Sequence, residues 1–244
     1  MIEAEWLACT DPKPMLVLVR GKVSERKLRL FAAACCRNIW DLLRDKRCRQ
    51  AVEVAERFAD GLATLEELVA AHAECERAWQ QCKRVNASGF LDVGYLAAQC
   101  AKNVAYDPQA VIKTKGVGRP AKGKELEPVL PRDLYPGYAA DSAASARAAE
   151  QGARQEAIVQ KEKIVQARLV RDICGNSFKP YSGSTRWSPN VLKLAKAHYT
   201  NSNSTTALSK ALADAGRTEL SEHFTEQPDH PKGCWVVDLI LGKE

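Results

Sequence analysis

Three stretches of this sequence combine residue types and spacings that can carry chemistry. The first is KTKGVGRPAKGK, where Lys113, Lys115, Arg119, Lys122 and Lys124 supply five positive charges and no acid. Its Gly118-Arg119-Pro120 core is part of an AT-hook, the short unfolded motif whose arginine enters the narrow, electronegative minor groove of A·T tracts while lysines meet phosphates. A full core has arginine on both sides of the glycine, and here Val117 precedes Gly118. The plainer expectation is a solvated basic linker held open by glycine, proline and self-repulsion.

The second stretch is a basic group at Arg44, Lys46, Arg47 and Arg49. Cations in the first turn of a helix oppose its macrodipole, and an anionic partner such as nucleic acid would offset that cost. The competing expectation is neutralisation by Asp45, Glu53 and Glu56 in ordinary surface pairs. The third is the C-terminal run from His230 to Asp238, where His, Cys234 and Asp stand close enough to suggest a His–Asp–Cys set. No nucleophile-turn or oxyanion signal accompanies it, so a hydrogen bond that fixes the C-terminal segment is the reading preferred. His72, Cys75 and Cys82 fall on one helical face, but Trp79 sits among them. A zinc site usually draws on paired short spacings such as C-x2-C, so this stripe reads as core. Gly116-Val117-Gly118 meets no nucleotide-loop pattern. No cofactor or metal site and no catalytic residue is expected.

Helices have to position these residues. The 244-residue chain is 45% hydrophobic and 27% charged, ordinary globular values, and abundant alanine favours helix over strand. Ser24–Arg44, SERKLRLFAAACCRNIWDLLR, is the organising stretch. Leu28, Phe31, Cys35, Ile39 and Leu42 fall on one line at 100° per residue. Ala32, Cys36, Leu43, Ala33 and Trp40 widen the apolar arc to roughly 200°, well beyond a surface helix. It must be walled in by other helices.

Asp11-Pro12, Ser24, Thr64-Leu65-Glu66-Glu67 and Ser188-Pro189 read as helix starts. Further helices are expected over Lys46–Asp60, from Thr64 to about Val85, and over Leu91–Tyr106. Ala139–Asp172 is expected to form one long helix. Cys234–Leu241 reads as a short helix, since a lone strand would leave its backbone hydrogen bonds unmade. Short connections imply antiparallel neighbours. Asp107–Tyr138 holds five prolines and four glycines and reads as a linker or insertion.

The net charge of +6 lies almost wholly in that segment. Residues 1–112 carry 16 Lys/Arg against 15 Asp/Glu, and residues 125–244 carry 15 against 15. The acidic start (Glu3, Glu5) and the shortness of the longest N-terminal apolar run, Met15–Val19, predict neither a secretory signal nor a membrane span. Nine cysteines without framework spacing read as reduced, mostly buried thiols in a cytoplasmic protein.

EAEWLACTDPKPML, RKLRLFAAACCRNIW and AVEVAERFADG near the start, with RDICGNSFKP and HPKGCWVVDLILGKE near the end, resemble a large paralogous family of uncharacterised bacterial proteins. The resemblance covers roughly residues 2–70 and 168–244. It implies a shared helical fold and no particular substrate, and the 113–124 segment is not part of it.

The sequence therefore predicts an all-α multi-helix bundle or helical-hairpin array. An N-terminal helical part (1–106), a basic Gly/Pro linker (107–138) and a C-terminal helical part (139–244) divide it, with the two parts free to pack as one body. The leading functional expectation is a non-enzymatic protein-interaction or scaffold module whose partner is another protein. The alternatives are nucleic-acid association through 113–124 and the basic group at 44–49, or an enzyme whose site is assembled from scattered residues.

Overall fold

The computed structural model describes residues 1–82, 84, 92–106, 135–151, 155–201, 205–226 and 230–243. Among these residues every regular element is an α-helix. In chain order they are α1 (Glu3–Ala8), α2 (Pro12–Val19), α3 (Glu25–Asn38), α4 (Lys46–Ala59), α5 (Leu65–Gln81) and α6 (Val93–Ala105). Then follow α7 (Tyr135–Gln151), α8 (Gln155–Cys174), α9 (Pro189–Asn201), α10 (Thr205–Asp214), α11 (Thr218–Glu226) and α12 (Trp235–Leu241). None is long and apolar enough to cross a membrane.

Local chemistry sets the helix starts. Asp11 accepts from Lys13 N with Pro12 in the first turn of α2, Ser24 accepts from Lys27 N, and Asp45 accepts from Arg47 N. Thr64 and Glu67 close a reciprocal capping box. Each satisfies amides that the helix leaves without partners.

Helix α3 packs against α4, α6, α7 and α8, and Phe31, Cys35 and Cys36 are wholly buried. It stops at Asn38, short of the expected Arg44, and arginines bond carbonyls at and beyond its end. Arg147 Nη2 donates to Asn38 O at 2.6 Å, and Arg49 donates to Leu43 O at 2.6 Å and to Trp40 O at 3.3 Å. Turns after Asn38 still bury Ile39, Leu42 and Leu43. The expected long helix over 139–172 is instead two helices, α7 and α8, packed against each other. Gly152 stands between them in the sequence, and the nearly buried Gln166 of α8 donates to Ala140 O of α7 at 2.9 Å.

One hydrophobic core runs from Trp6 to Ile173, so α7 and α8 pack with the N-terminal helices. A second core joins Val191, Leu208, Leu212, Leu220, Phe224, Val236 and Ile240 from α9 to α12. Four residues placed in the expected linker, Tyr135–Tyr138, open α7; residues 107–134, with the whole 113–124 stretch, lie outside the described residues.

The two cores are joined by buried charge. Arg26 of α3 donates to Asp238 of α12 (Nη1–Oδ2 2.7 Å), to Asp60 (3.1 Å) and to Tyr199 of α9 (2.8 Å). Lys27 pairs with the same Asp238 and donates to Gly233 O at 2.7 Å. Both carboxylates are 2% exposed, and Asp238, Asp60 and Tyr199 are bonded through one guanidinium. Replacing Arg26 with alanine would leave buried Asp238 to Lys27 alone and buried Asp60 to Tyr199 and Lys243, and is expected to cost about 3 kcal/mol, read as a lower urea midpoint with an unchanged slope.

Candidate metal centre

The C-terminal end of α8, the last turns of α11 and the turn that leads into α12 converge on one point. Asp172 lies two residues before the end of α8, His223 projects from α11, His230 precedes the turn, and Cys234 is the N-cap position of α12. The turn needs Gly233. Its φ is +88°, a left-handed conformation that favours glycine, and a Cβ there would meet Leu30 Cδ1 at 2.8 Å. That close approach presses the Cys234 turn onto α3.

Asp172 Oδ1 lies 2.9 Å from His223 Nε2 and 2.8 Å from His230 Nδ1. His223 Nε2 is 3.2 Å from Cys234 Sγ. All four atoms lie within 4.8 Å of one another. The Asp172, His230 and Cys234 side chains are almost solvent-free, and only His223 keeps modest access at 18%. Aromatic edges close the surroundings. Phe224 stands 4.8 Å from the His230 ring, and Trp235 stands 5.5 Å from the His223 ring.

Burial pushes the Asp172 carboxyl upward, but hydrogen bonds from His223 and His230 outweigh it and hold the group below its ordinary range. Burial, reinforced by the Asp172 charge, raises the Cys234 thiol well above its ordinary value. Asp172 Oδ2 and His230 Nε2 are buried without a hydrogen-bond partner. Such orphans cost free energy unless something else compensates them.

These distances separate two chemistries. A Cys–His–Asp triad uses opposite ring nitrogens, one toward the nucleophile and one toward the carboxylate. Here one atom, His223 Nε2, faces both Asp172 and Cys234, so the ring cannot relay a proton between them. Four donor atoms facing a common centre are instead what a tetrahedral cation requires. With bond lengths of about 2.0–2.3 Å, the ligand atoms of tetrahedral zinc stand roughly 3.2–3.7 Å apart. To reach that spacing the pairs at 2.8–2.9 Å would open while the widest separation, within 4.8 Å, would close. Two imidazoles, one thiolate and one carboxylate form a borderline-soft set suited to Zn²⁺.

Of the residues that the sequence pattern groups here, His230 and Cys234 do come together, but their carboxylate is Asp172. Asp238 faces Arg26 and Lys27. Asp172 and His223 were not singled out by the sequence. The only local signal is H-x3-C at 230–234 with His223 seven residues earlier, and no C-x2-C pair marks it. The other candidates stay apart. Cys75 is buried with its Sγ 3.4 Å from Cys48 Sγ, and His72 sets its edge on the Tyr106 ring. Among the basic residues at 44–49, Arg47 is bound to Asp45 and Gln81, and Arg49 to the Trp40 and Leu43 carbonyls, while Arg44 and Lys46 are exposed. Lys113, Lys115, Arg119, Lys122 and Lys124 lie outside the described residues.

Comparison of the chain with protein-family models, curated proteins and solved structures finds no match.

Because burial keeps Cys234 protonated, a metal must displace that proton to gain a thiolate. Zinc affinity is therefore expected to fall with falling pH, by about tenfold per unit for one displaced proton. Calorimetric titration of the wild-type chain in buffers of different ionisation enthalpy will count the proton released, and about one per zinc is expected near neutral pH.

Proposed function

We propose that this chain is a metal-stapled helical module, with Zn²⁺ held by Asp172, His223, His230 and Cys234, and that its role is non-enzymatic interaction with another protein. The observation that carries the metal reading is the convergence of four donor atoms, three of them on buried residues, from three separate parts of the chain. A set of four protein ligands fills a tetrahedron and leaves no position for water or substrate, the mark of structural rather than catalytic zinc. Its location fits that role, since Asp172 belongs to the first core's helix α8 while Cys234 and the helices around it belong to the second. A metal there ties α11 and α12 to the main body, and the ordered C-terminal helices become a surface for a partner. The reduced, mostly buried cysteines suit a cytoplasmic setting, where a zinc-bound thiolate persists.

The test is metal content and its consequence for stability. The full chain, purified without chelator, is expected to carry about one zinc per molecule, and Co²⁺ exchanged into it should give the d–d bands of a tetrahedral site with a thiolate charge-transfer band. His230→Ala and Cys234→Ser should each lose the metal and the bands, with a melting temperature several degrees lower, as expected when about 1–2 kcal/mol is lost from a domain of this size. Wild-type chain that takes up neither ion at micromolar concentration would dispose of the reading.

A further inference from the structure

Beside the metal centre, on the side of α12, a cavity of about 650 Å³ opens between the start of α3, the turn after α8 and α12. That volume is in the range of small-molecule sites. Its apolar wall includes Trp235, Tyr181 and Leu239. Trp235 is braced against the backbone of Gly175, whose φ is +70° and where an added Cβ would stand 3.2 Å from the indole Cγ. The other lining is strongly cationic: Lys22, Lys27, Lys179 and Lys243.

The charges do not cancel. Asp238, which also lines the cavity, is consumed by Arg26 and Lys27. Lys243 is held by Asp60 and stands 4.5 Å over the Tyr199 ring. That leaves Lys22 and Lys179, both exposed and with no acidic partner among the described residues, against one exposed acid, Glu219, on the same lining. Two uncommitted ammonium groups beside an indole and a phenol ring make a recognisable combination. The geometry points to a binding site for a small organic anion in which a phosphate or carboxylate stands next to a flat ring, the ring lying against the Trp235 wall and the anion meeting Lys22 and Lys179. The walls are tied to the neighbouring centre through the chain itself: Cys174 and Gly175 follow Asp172, and Trp235 follows Cys234. The cavity, its cations and its rings nonetheless stand independently of whether that centre holds zinc.

Isothermal titration of the full chain, with its zinc content recorded, decides the matter using four probes: adenosine 5′-monophosphate, benzoate, adenosine and inorganic phosphate. At least one of the first two, which join ring and anion, is expected to bind saturably. Adenosine and inorganic phosphate, each carrying half of the chemistry, should bind at least tenfold more weakly. Lys22→Glu combined with Lys179→Glu changes only exposed side chains and should keep the helical circular dichroism and zinc content. It should weaken binding by roughly tenfold or more, the scale of one charge-assisted hydrogen bond lost. The inference is overturned if neither ring-bearing anion binds up to millimolar concentration, if adenosine binds as tightly as its monophosphate and benzoate does not bind, or if the double variant binds unchanged. Loss of zinc with binding retained would remove the metal reading and leave this one standing.

Discussion

Buried negative charge governs how this molecule closes. Where the C-terminal helices meet the main body, Asp238 and Asp172 sit nearly free of solvent, and neither can ionise there without opposing partners. Asp238 meets fixed cations, Arg26 and Lys27 from the first turn of α3. Asp172 meets two imidazoles that carry charge only when protonated. The first seam is balanced by the protein alone. The second is balanced by hydrogen bonds that cost the two histidines their freedom, or by a divalent cation that satisfies the carboxylate, both rings and the thiol together.

That difference gives the two seams different chemical sensitivities. The arginine's charge is insensitive to any ordinary pH, and its buried contacts hold its proton still more firmly, so the Asp238 seam persists wherever the carboxylates are ionised. The Asp172 seam is built from groups that bind either a proton or a metal, imidazole nitrogen and thiol sulfur, so under the proposed zinc it would respond to both. Helix α12 belongs to both. Asp238 anchors it from the α3 side, and Cys234 anchors its first turn at the donor cage. A chain lacking the metal would keep the Arg26 contact and the second core's apolar packing while losing the constraint on the turn from 230 to 234.

The helical architecture was legible because it is written locally. Alanine content, caps at Asp11, Ser24 and Thr64, and the wide apolar arc of α3 act within a few residues of where they stand, and each appears in the structure. Two lengths were not legible for the same reason. The carbonyls at and beyond the end of α3 are met by two guanidinium groups, one from α7, which no local pattern announces. The division between α7 and α8 falls in a stretch whose apolar period reads on as one helix, and the contact that marks it, Gln166 to Ala140 O, joins residues 26 apart. The centre was harder still. His223, His230 and Cys234 lie within twelve positions of each other, yet their fourth member, Asp172, is 51 residues before the first of them. Asp238, four residues after Cys234, offered itself as the carboxylate because sequence proximity favours it. Helical geometry sends it elsewhere, toward α3.

Helical geometry also explains why Asp172 takes the position. Residues three and four apart share a helix face, and α8 places Arg168, Arg171 and Asp172 near its end. Arg171 donates to the carbonyls of Trp6 and Cys9 at 3.1 and 2.9 Å, tying α8 to the end of α1. Asp172, one residue and about 100° further on, points to the opposite partner, the C-terminal helices. One turn of α8 thus clamps the first segment of the chain with a cation and the last with an anion. The donor atoms contributed by α11 and the α12 turn find their carboxylate already oriented by a helix that the larger core holds in place. A cage preorganised on its anchored side loses less entropy on closing around a cation than one whose ligands all come from loops, which is the physical reason a site spread so widely in sequence can be a good one.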